Sequence, residues 1–208
     1  MDRFNAIITI SRQYGSYGKE IGEKVAKNLN IPYYDKEILN LAAKESGICK
    51  ELFIQNDEKP TNSLLFSMVT GMRGMGELNS VYMDMPLNHK LFLAQFDTIK
   101  RIGSQGPCVI VGRCADYVLK ENPNTFRVFI YGDFETRVQN IINDFKLDYK
   151  QAKEVAQKKD RQRSSYYSYF AGEDWGKKEN YDLCINSSRI TTDFAAKIIQ
   201  DYVQVWNK

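Results

Sequence analysis

Residues 6–22 are AIITISRQYGSYGKEIG, which predicts a buried strand, a glycine-rich turn and the start of a helix. Ala6 to Ile10 is apolar or β-branched, as in a parallel strand that is covered on both faces. Ile21, Val25 and Leu29 then recur every four residues and place an apolar stripe on a helix that packs on the sheet. Backbone N–H groups and a helix N-terminus in such a turn can hold an anion. The segment therefore predicts a phosphate-binding loop.

This loop differs from the standard phosphate-binding pattern GxxxxGK[ST] at two positions. Gln13 replaces the first glycine, and Glu20 replaces the hydroxyl residue that binds Mg²⁺. Gly15 and Gly18 still allow a tight turn, and Lys19 can reach the β- and γ-phosphates. For the loop alone, an ordinary glycine-rich turn with a solvated lysine remains an alternative, because short glycine motifs match many unrelated loops.

The sequence does not decide which residue of the loop binds the metal ion. Glu20 would repel a triphosphate unless it binds Mg²⁺ or points away. Ser11 and Ser16 are candidate replacements for the missing hydroxyl, and the predicted ligand is Ser16 or Glu20. Arg12 follows the strand directly and is a further candidate cation for phosphate, with a salt bridge at the surface as the simpler account.

The rest of the chain alternates between short apolar runs and helical spacing, which predicts an α/β fold with a parallel sheet. The further predicted strands are Ile31 to Tyr34, Cys108 to Val111, Arg127 to Tyr131 and Leu183 to Ile185. The helical stripes are Phe92, Phe96 and Ile99; Phe134, Val138, Ile141 and Phe145; and Ala195, Ile198, Ile199 and Tyr202.

Composition and charge are those of an ordinary globular protein. The chain has 208 residues, 43% hydrophobic and 26% charged, so we expect one core with an inserted or mobile part. A net charge of +3 is too small to indicate a nucleic-acid or membrane partner. No apolar stretch has the length of a membrane span, and Met1 to Ile10 lacks the order of a secretion signal, so a cytoplasmic protein is expected.

Cysteine and histidine usage argues against common metal and redox sites. Cys49, Cys108, Cys114 and Cys184 lie far apart in the sequence without a CxxC pair, and His89 is the only histidine. Cys108 and Cys184 lie within apolar runs and are predicted to be buried.

Four segments of the chain, in this order and spacing, resemble the cytidylate kinase-like family. They are ITISRQYGSYGKEIG (8–22), VIVGRCADYVL (109–119), DRQRSSYYSYF (160–170) and YDLCINSS (181–188). The last three are the most specific, because GR-x-x-D after a buried strand rarely coincides with D-x-x-R before a strand that ends in N-S-S. The resemblance covers nearly the whole chain.

The resemblance implies a P-loop NTPase fold with a five-stranded parallel sheet flanked by helices, a helical acceptor-binding insert and a lid. Residues 1–208 would form a single P-loop kinase-like domain, with the insert at 51–105 and the lid region at 146–181. Within the insert, Met68 to Gly76 is rich in glycine and methionine and suggests an irregular element. Arg73 is the only basic residue of that stretch, so it is a candidate ligand of the acceptor phosphate or a solvated loop arginine.

The resemblance also assigns site residues by their position in the family motifs. Lys19, Arg113 and Arg163 would be catalytic, and Asp35, Arg73, Arg113 and Asp116 would bind the acceptor. The residues that would bind ATP or its phosphates are Arg12, Gly15, Ser16, Tyr17, Gly18, Lys19, Glu20, Ile21 and Arg161. Cytidylate kinases carry GR directly followed by D, whereas Cys114 and Ala115 intervene here, so the sequence does not fix the acceptor base.

The arginines and their acidic neighbours allow other interpretations. Arg113 follows a predicted strand, where α/β sheets bind ligands, but it could equally pair with Asp116 one helical turn on. Arg161 and Arg163 are two residues apart, so only one can point inward from a helix; Arg163 is favoured, and Asp160 could pair with either. A solvated helix face is the alternative for this charged run.

Two further groups have a structural and a functional interpretation. Asp35 could approach the acceptor, but a helix N-cap is the preferred explanation. Lys158 to Tyr181 is predicted as a mobile flap, and its aromatic side chains either stack on a base or pack within the protein.

The sequence therefore predicts an ATP- and Mg²⁺-dependent phosphotransferase that acts on CMP, dCMP or a related small phosphate acceptor. One alternative is a non-catalytic nucleotide- or phosphate-binding sensor module, because Gln13 and Glu20 replace standard loop residues. Another is single-stranded nucleic-acid binding through Lys158 to Phe170. The expected partners are ATP and a small phosphorylated acceptor, with no membrane.

Overall fold

The computed structural model describes residues 5–58 and 85–206, in which five parallel strands are flanked by helices. The strands are β1 (Ile7–Arg12), β2 (Tyr33–Tyr34), β3 (Cys108–Val111), β4 (Thr125–Tyr131) and β5 (Leu183–Asn186). The helices are α1 (Gly18–Leu29), α2 (Glu37–Ser46), α3 (Lys50–Gln55), α4 (Leu87–Ser104), α5 (Ala115–Val118), α6 (Phe134–Phe145), α7 (Tyr149–Ala171) and α8 (Thr192–Trp206). Short 3₁₀ helices span Lys178–Asn180 and Ser187–Arg189.

The strand order β2-β3-β1-β4-β5 places β1 at the centre of the sheet. β1 pairs in parallel with β3 through Ile10 and Val111 and with β4 through Arg12 and Ile130. The connections from β1 and β3 therefore leave the same edge of the sheet side by side. In open α/β sheets, this carboxyl edge is where ligands bind.

The sheet is buried on both faces because successive side chains of β1 point in opposite directions. Ile8 and Ile10 pack in one cluster with residues of α1 and α8. Ile7 packs on the other face, in a cluster that includes Ile38 of α2 and Ile99 of α4. The amphipathic helices thus bury their apolar stripes against a sheet that is apolar on both sides, which explains the continuous apolar runs in the sequence.

The predicted parallel sheet is confirmed, with different strand ends. β1 continues through Ser11 and Arg12, because both residues pair with β4. β4 begins at Thr125 rather than Arg127, since Thr125 pairs with Ile7. β2 is confined to Tyr33–Tyr34.

The predicted flap at Lys158 to Tyr181 is largely helical, because α7 continues without a break to Ala171. Tyr166, Tyr167 and Phe170 are buried, and the Phe170 ring stacks on Phe92 of α4 at 3.9 Å between centroids. These three aromatic rings pack within the protein, so the alternative of nucleic-acid stacking on them is wrong.

The two cysteines that the sequence predicts to be buried differ in exposure. Cys108 is buried as predicted, whereas Cys184 is exposed on β5.

Arg73 and the stretch Met68 to Gly76 lie outside the described residues. The described parts of the insert are mostly helical, and its acceptor-binding role stays a prediction, as does the lid role of 146–181. No described helix combines the length and apolar character that crossing a membrane requires.

Candidate active site

A cavity of about 1070 Å³ opens beside the loop that joins β1 to α1, at the carboxyl edge of the sheet. Its wall includes Arg12, Lys19, Asp35, Arg113 and Arg163, which come from four separate parts of the chain. The fold therefore brings the three predicted catalytic residues, Lys19, Arg113 and Arg163, to one cavity.

The loop backbone is held from outside by α6. Gly15 has a φ of 79°, and a Cβ there would lie only 2.6 Å from the carbonyl oxygen of Arg137. Asn140 Nδ2 donates a hydrogen bond to the Gly15 carbonyl at 2.9 Å. Tyr17 has a φ of 58° and directly precedes α1. The glycine thus allows close contact between the loop and α6.

Arg137 and Asp160 fix the loop through its residue Tyr14. Arg137 Nη1 donates to the Tyr14 carbonyl at 3.0 Å, and Asp160 Oδ1 accepts from the Tyr14 amide at 2.8 Å. The two side chains also form an ion pair with each other at 2.6 Å. Asp160 therefore pairs with Arg137, and the expected pairing with Arg161 or Arg163 is wrong.

Arg163 of α7 points into the cavity, whereas Arg161 is exposed and is not among the described residues of the cavity wall. Arg163 Nε donates to Glu58 Oε2 at 3.1 Å, and its Nη1 donates to the Arg12 carbonyl at 2.9 Å. Asp160 and Arg163 are three residues apart, so they share a helix face. Asp160, which holds the loop at Tyr14, and Arg163, which lines the cavity, thus lie on one face of α7.

Glu58 lies between Arg163 and Arg12. Its Oε1 pairs with Arg12 Nη1 at 2.7 Å and accepts a longer hydrogen bond from the Arg113 amide at 3.4 Å. Burial alone would raise the pKa of Glu58, but the charges of Arg12, Arg163 and Arg113 outweigh burial and hold it below its usual range. Glu58 is therefore a carboxylate held charged by arginines.

Arg113 is buried against two other carboxylates, with its side chain only 1% exposed. Its Nη1 pairs with Asp35 at 3.1 Å and its Nη2 with Asp57 at 2.9 Å. The alternative ion pair with Asp116 does not form. Burial would lower the pKa of Arg113, but Asp57, Glu58 and Asp35 raise it.

The N-cap interpretation of Asp35 is wrong, because Lys36 holds the N-cap position of α2.

Lys19 is an exposed cation of the cavity wall. Its side chain is 58% exposed, and Nζ lies 3.5 Å from Asp35 Oδ2 and 3.7 Å from Glu23 Oε1. Both pairs are long, and their ammonium end is exposed although Asp35 is buried, so Lys19 can leave them for a phosphate at small cost.

Three loop residues for which ATP or metal binding is predicted have polar groups that are engaged within the protein. Ser16 is fully buried and its hydroxyl donates to the Gln13 carbonyl at 2.8 Å, so it does not face the cavity. Glu20 accepts from the Thr192 hydroxyl at 2.7 Å and pairs with Lys24. The Ile21 amide is used by the first turn of α1.

The described residues therefore do not fit the usual protein ligation of Mg²⁺ in such loops, for which a hydroxyl at the helix start is the standard ligand. No group of three or more acidic, histidine or cysteine side chains in the described ranges could hold a metal ion. Glu20 still borders the cavity, but it is paired.

Asp116 lies away from the described cavity wall. It is buried beside Tyr167, burial raises the pKa of Asp116 to about 6, and neither of its carboxyl oxygens has a hydrogen-bond partner among the described residues. The acceptor contact expected for Asp116 thus has no support in the described geometry.

An aromatic pair lies at the mouth of the cavity. The rings of Tyr14 and Phe145 are stacked with centroids 6.3 Å apart, and Phe145 is 56% exposed. The sequence places Phe145 in the apolar stripe of α6, but the buried stripe ends before the last turn, and this ring lies beside the phosphate loop.

We expect the substitution Gly112→Ala to destabilise the protein through the Arg12–Glu58 pair. Gly112 has a φ of 76°, and a Cβ there would collide with Arg12 Nη1 and lie 2.5 Å from Glu58 Oε1. The matched control is Gly47→Ala, because Gly47 has a φ of 71° and nothing within 4 Å of the new Cβ.

Both variants lose about 1–2 kcal/mol through the left-handed backbone. Gly112→Ala should lose a further 1–3 kcal/mol, roughly, from overpacking, measured as the free energy of unfolding in urea. Equal losses would show that the Arg12–Glu58 contact at Gly112 is unimportant.

Comparisons with known proteins agree with this geometry. The sequence profile of the cytidylate kinase-like family matches residues 7–189. A crystal structure of an uncharacterized protein from Eubacterium ventriosum ATCC 27560 is 30% identical over 97% of this chain and 99% of that one, with a TM-score of 0.73. No curated protein matches the chain.

More distant solved structures share the fold alone. A shikimate kinase from Bacteroides thetaiotaomicron is 11% identical over 96% of this chain and 98% of that one, with a TM-score of 0.53. A gluconokinase from Sinorhizobium meliloti 1021 is 13% identical over 99% of both chains, with a TM-score of 0.54. The fold is thus that of P-loop kinases.

Proposed function

Since this chain belongs to the cytidylate kinase-like family and has a P-loop kinase fold, we propose that it transfers the γ-phosphate of ATP to CMP, dCMP or a related small phosphorylated acceptor. The observation that carries the proposal is the meeting of Lys19, Arg113 and Arg163 at one cavity beside the phosphate loop.

Phosphoryl transfer asks a protein mainly for positioning and for cations near the equatorial oxygens of the transferred group. In the proposed reaction, the loop backbone and the start of α1 hold the donor phosphates. Lys19 leaves Asp35 and binds the β- and γ-phosphates, while Arg163 faces the transferred group from α7. Mg²⁺ would enter with ATP rather than on a ligand of this loop, and it would supply neutralisation of phosphate charge.

Arg113 is proposed to bind the phosphate of the acceptor. Its Nε is buried and has no hydrogen-bond partner among the described residues, and an acceptor oxygen would satisfy it. Asp35 holds the guanidinium from the opposite side and thereby orients it. The acceptor would then lie at the carboxyl edge of β3, next to the donor loop.

Phe145 and Tyr14 are proposed to contact the base of the donor nucleotide. An exposed aromatic ring beside a phosphate loop offers a stacking surface for any base, and such stacking contributes about 1–3 kcal/mol.

A sensor module that binds nucleotide without turnover is the second candidate. The inward orientation of the Ser16 hydroxyl favours it, because the loop then lacks a hydroxyl for Mg²⁺. The two functions differ in turnover alone, so a kinetic experiment separates them.

The test is ADP release from MgATP in a coupled assay across CMP, dCMP, UMP, AMP and GMP, with shikimate and gluconate as acceptors without phosphate. We expect one or more monophosphates to raise turnover, and Lys19→Ala to lower that turnover by about 100-fold or more. Lys27→Ala is the matched control, because it removes the same charge from the exposed far end of α1. If nucleotide binds but no monophosphate raises ADP release above that of Lys19→Ala, the sensor function replaces the kinase.

A further inference from the structure

Glu58 occupies a position that is built for an anion. One oxygen pairs with Arg12 at 2.7 Å and the other with Arg163 at 3.1 Å, so the carboxylate bridges two guanidinium groups. Arginine forks bind carboxylate and phosphate oxygens with the same paired geometry. The chemistry around Glu58 is therefore equally suited to a phosphate group.

The two arginines belong to rigid elements. Arg12 ends the central strand β1, and Arg163 lies within α7 and donates a second hydrogen bond to the Arg12 carbonyl at 2.9 Å. Burial lowers the pKa of Arg163, and the nearby charge of Arg12 lowers it further. Two cations fixed so close together require an anion between them.

Glu58 itself comes from the short segment after α3, not from a rigid element. Its backbone has a φ of 52°, a left-handed conformation that costs a non-glycine residue about 1–2 kcal/mol. The neighbouring Asp57 has a raised pKa, because burial outweighs the attraction of Arg113. The segment is thus held in an unfavourable conformation by its contacts with arginines.

The bridged position also borders the cavity beside the phosphate loop. Arg12, Arg163 and Glu58 all line the cavity that contains Lys19 and the phosphate loop. A phosphate that enters this cavity and a carboxylate that remains there would compete for the same donors.

We propose that Arg12 and Arg163 form a subsite for a phosphate group of the substrate, and that Glu58 fills this subsite until a substrate phosphate displaces it. The subsite deepens the proposed function and rests on it for the identity of the substrate. The displaced Glu58 relieves its left-handed backbone, which offsets part of the cost of breaking its two ion pairs.

The experiment measures binding of inorganic pyrophosphate to the full chain by calorimetry, without turnover. Glu58→Gln removes the competing charge but keeps the side-chain shape, and it should bind pyrophosphate about tenfold more tightly or better, since the subsite is then free in more molecules. Arg12→Gln added to this variant should abolish the gain.

Glu23→Gln is the matched control. Glu23 also borders the cavity, but its pairing partner is Lys19 at 3.7 Å rather than Arg12 or Arg163. Its substitution removes the same charge from the cavity and should change the affinity much less than Glu58→Gln. Equal gains in both variants would overturn the proposal, because only the net charge of the cavity would then matter.

Glu58→Asp is the second variant, in case Glu58→Gln does not fold. It keeps the charge but is one methylene shorter, so it cannot reach both arginines, and it should also tighten pyrophosphate binding. Unchanged or weaker binding in the folded Glu58 variants would overturn the proposal and make Glu58 a support for the arginines.

This result is independent of the kinase test. Tighter binding by Glu58→Gln without any acceptor-dependent turnover would support the subsite and contradict the kinase. Turnover in the wild type with no gain for Glu58→Gln would support the kinase and contradict the subsite.

Discussion

Replacing Arg163 by methionine should lower kcat/KM for phosphoryl transfer by about 1000-fold or more, the usual contribution of an arginine that stabilises a transferred phosphoryl group. Methionine preserves much of the length and packing of the side chain but carries no charge. Arg163 lines the cavity from α7 and is fixed there by its hydrogen bond to the Arg12 carbonyl. The measurement is steady-state kinetics with the best acceptor of the panel.

The matched control for this variant is Arg161→Met. Arg161 lies two residues away on the same helix and is exposed, so its loss should leave kcat/KM close to that of the wild type. Arg163→Lys should recover only part of the rate, because an ammonium group lacks the planar fork. Similar losses in Arg161→Met and Arg163→Met would contradict a specific role for Arg163.

Replacing Arg113 by methionine should destabilise the protein by about 3–5 kcal/mol, the cost of leaving buried carboxylates without their cation. Asp35 and Asp57 are both paired with this guanidinium, which is almost completely buried. Arg127→Met is the control, because the Arg127–Asp182 pair is partly exposed and should contribute about 1 kcal/mol or less. Urea unfolding of both variants measures the difference.

The stability that Arg113→Met loses relative to the wild type should depend on pH. The pKa of Asp57 is raised by burial even beside Arg113, and removal of the cation raises it further. A carboxyl whose folded pKa lies above its unfolded pKa stabilises the protein at low pH, and this stabilisation is lost as the pH rises through the folded pKa. The loss in free energy of unfolding that Arg113→Met causes should therefore be smaller at about pH 5 than at about pH 8. Adding Asp57→Asn should reduce this loss at the higher pH. A loss that grows toward acidic pH would contradict the burial of a charged Asp57.

The sheet could be predicted from the sequence because its signal is local. Runs such as Cys108–Val111 are long enough, apolar enough and β-branched enough to identify a buried strand. The strand ends were less predictable, because they depend on pairing partners. Ser11 belongs to β1 only because Phe129 lies beside it in β4.

The site was predictable where spacing determines orientation. Arg161 and Arg163 cannot both face inward from one helix, and the structure directs Arg163 to the cavity. Arg137 carried a signal that was missed, since a charged residue lies within the apolar face of α6 formed by Phe134, Val138 and Ile141. A buried arginine on an apolar face usually has a specific acceptor.

The carboxylates of the cavity could not be predicted. Asp57 and Glu58 follow a short helix in a stretch without clear periodicity, and their arginine partners are about 50 to 100 residues away in the chain, as in the 105 residues between Glu58 and Arg163. Sequence spacing determines which residues share a helix face, but not which distant charges meet. For the same reason, the pairing of Asp35 with Arg113 was mistaken for a helix cap.

Phosphoryl transfer at this cavity can be followed directly by ³¹P NMR of the protein with MgATP and each monophosphate of the panel. We expect ATP to be converted to ADP while a new diphosphate signal of one acceptor grows in equal amount, and we expect Lys19→Ala and Arg163→Met both to suppress this signal. Unchanged ATP with every acceptor, although the nucleotide binds, would contradict phosphoryl transfer at this cavity.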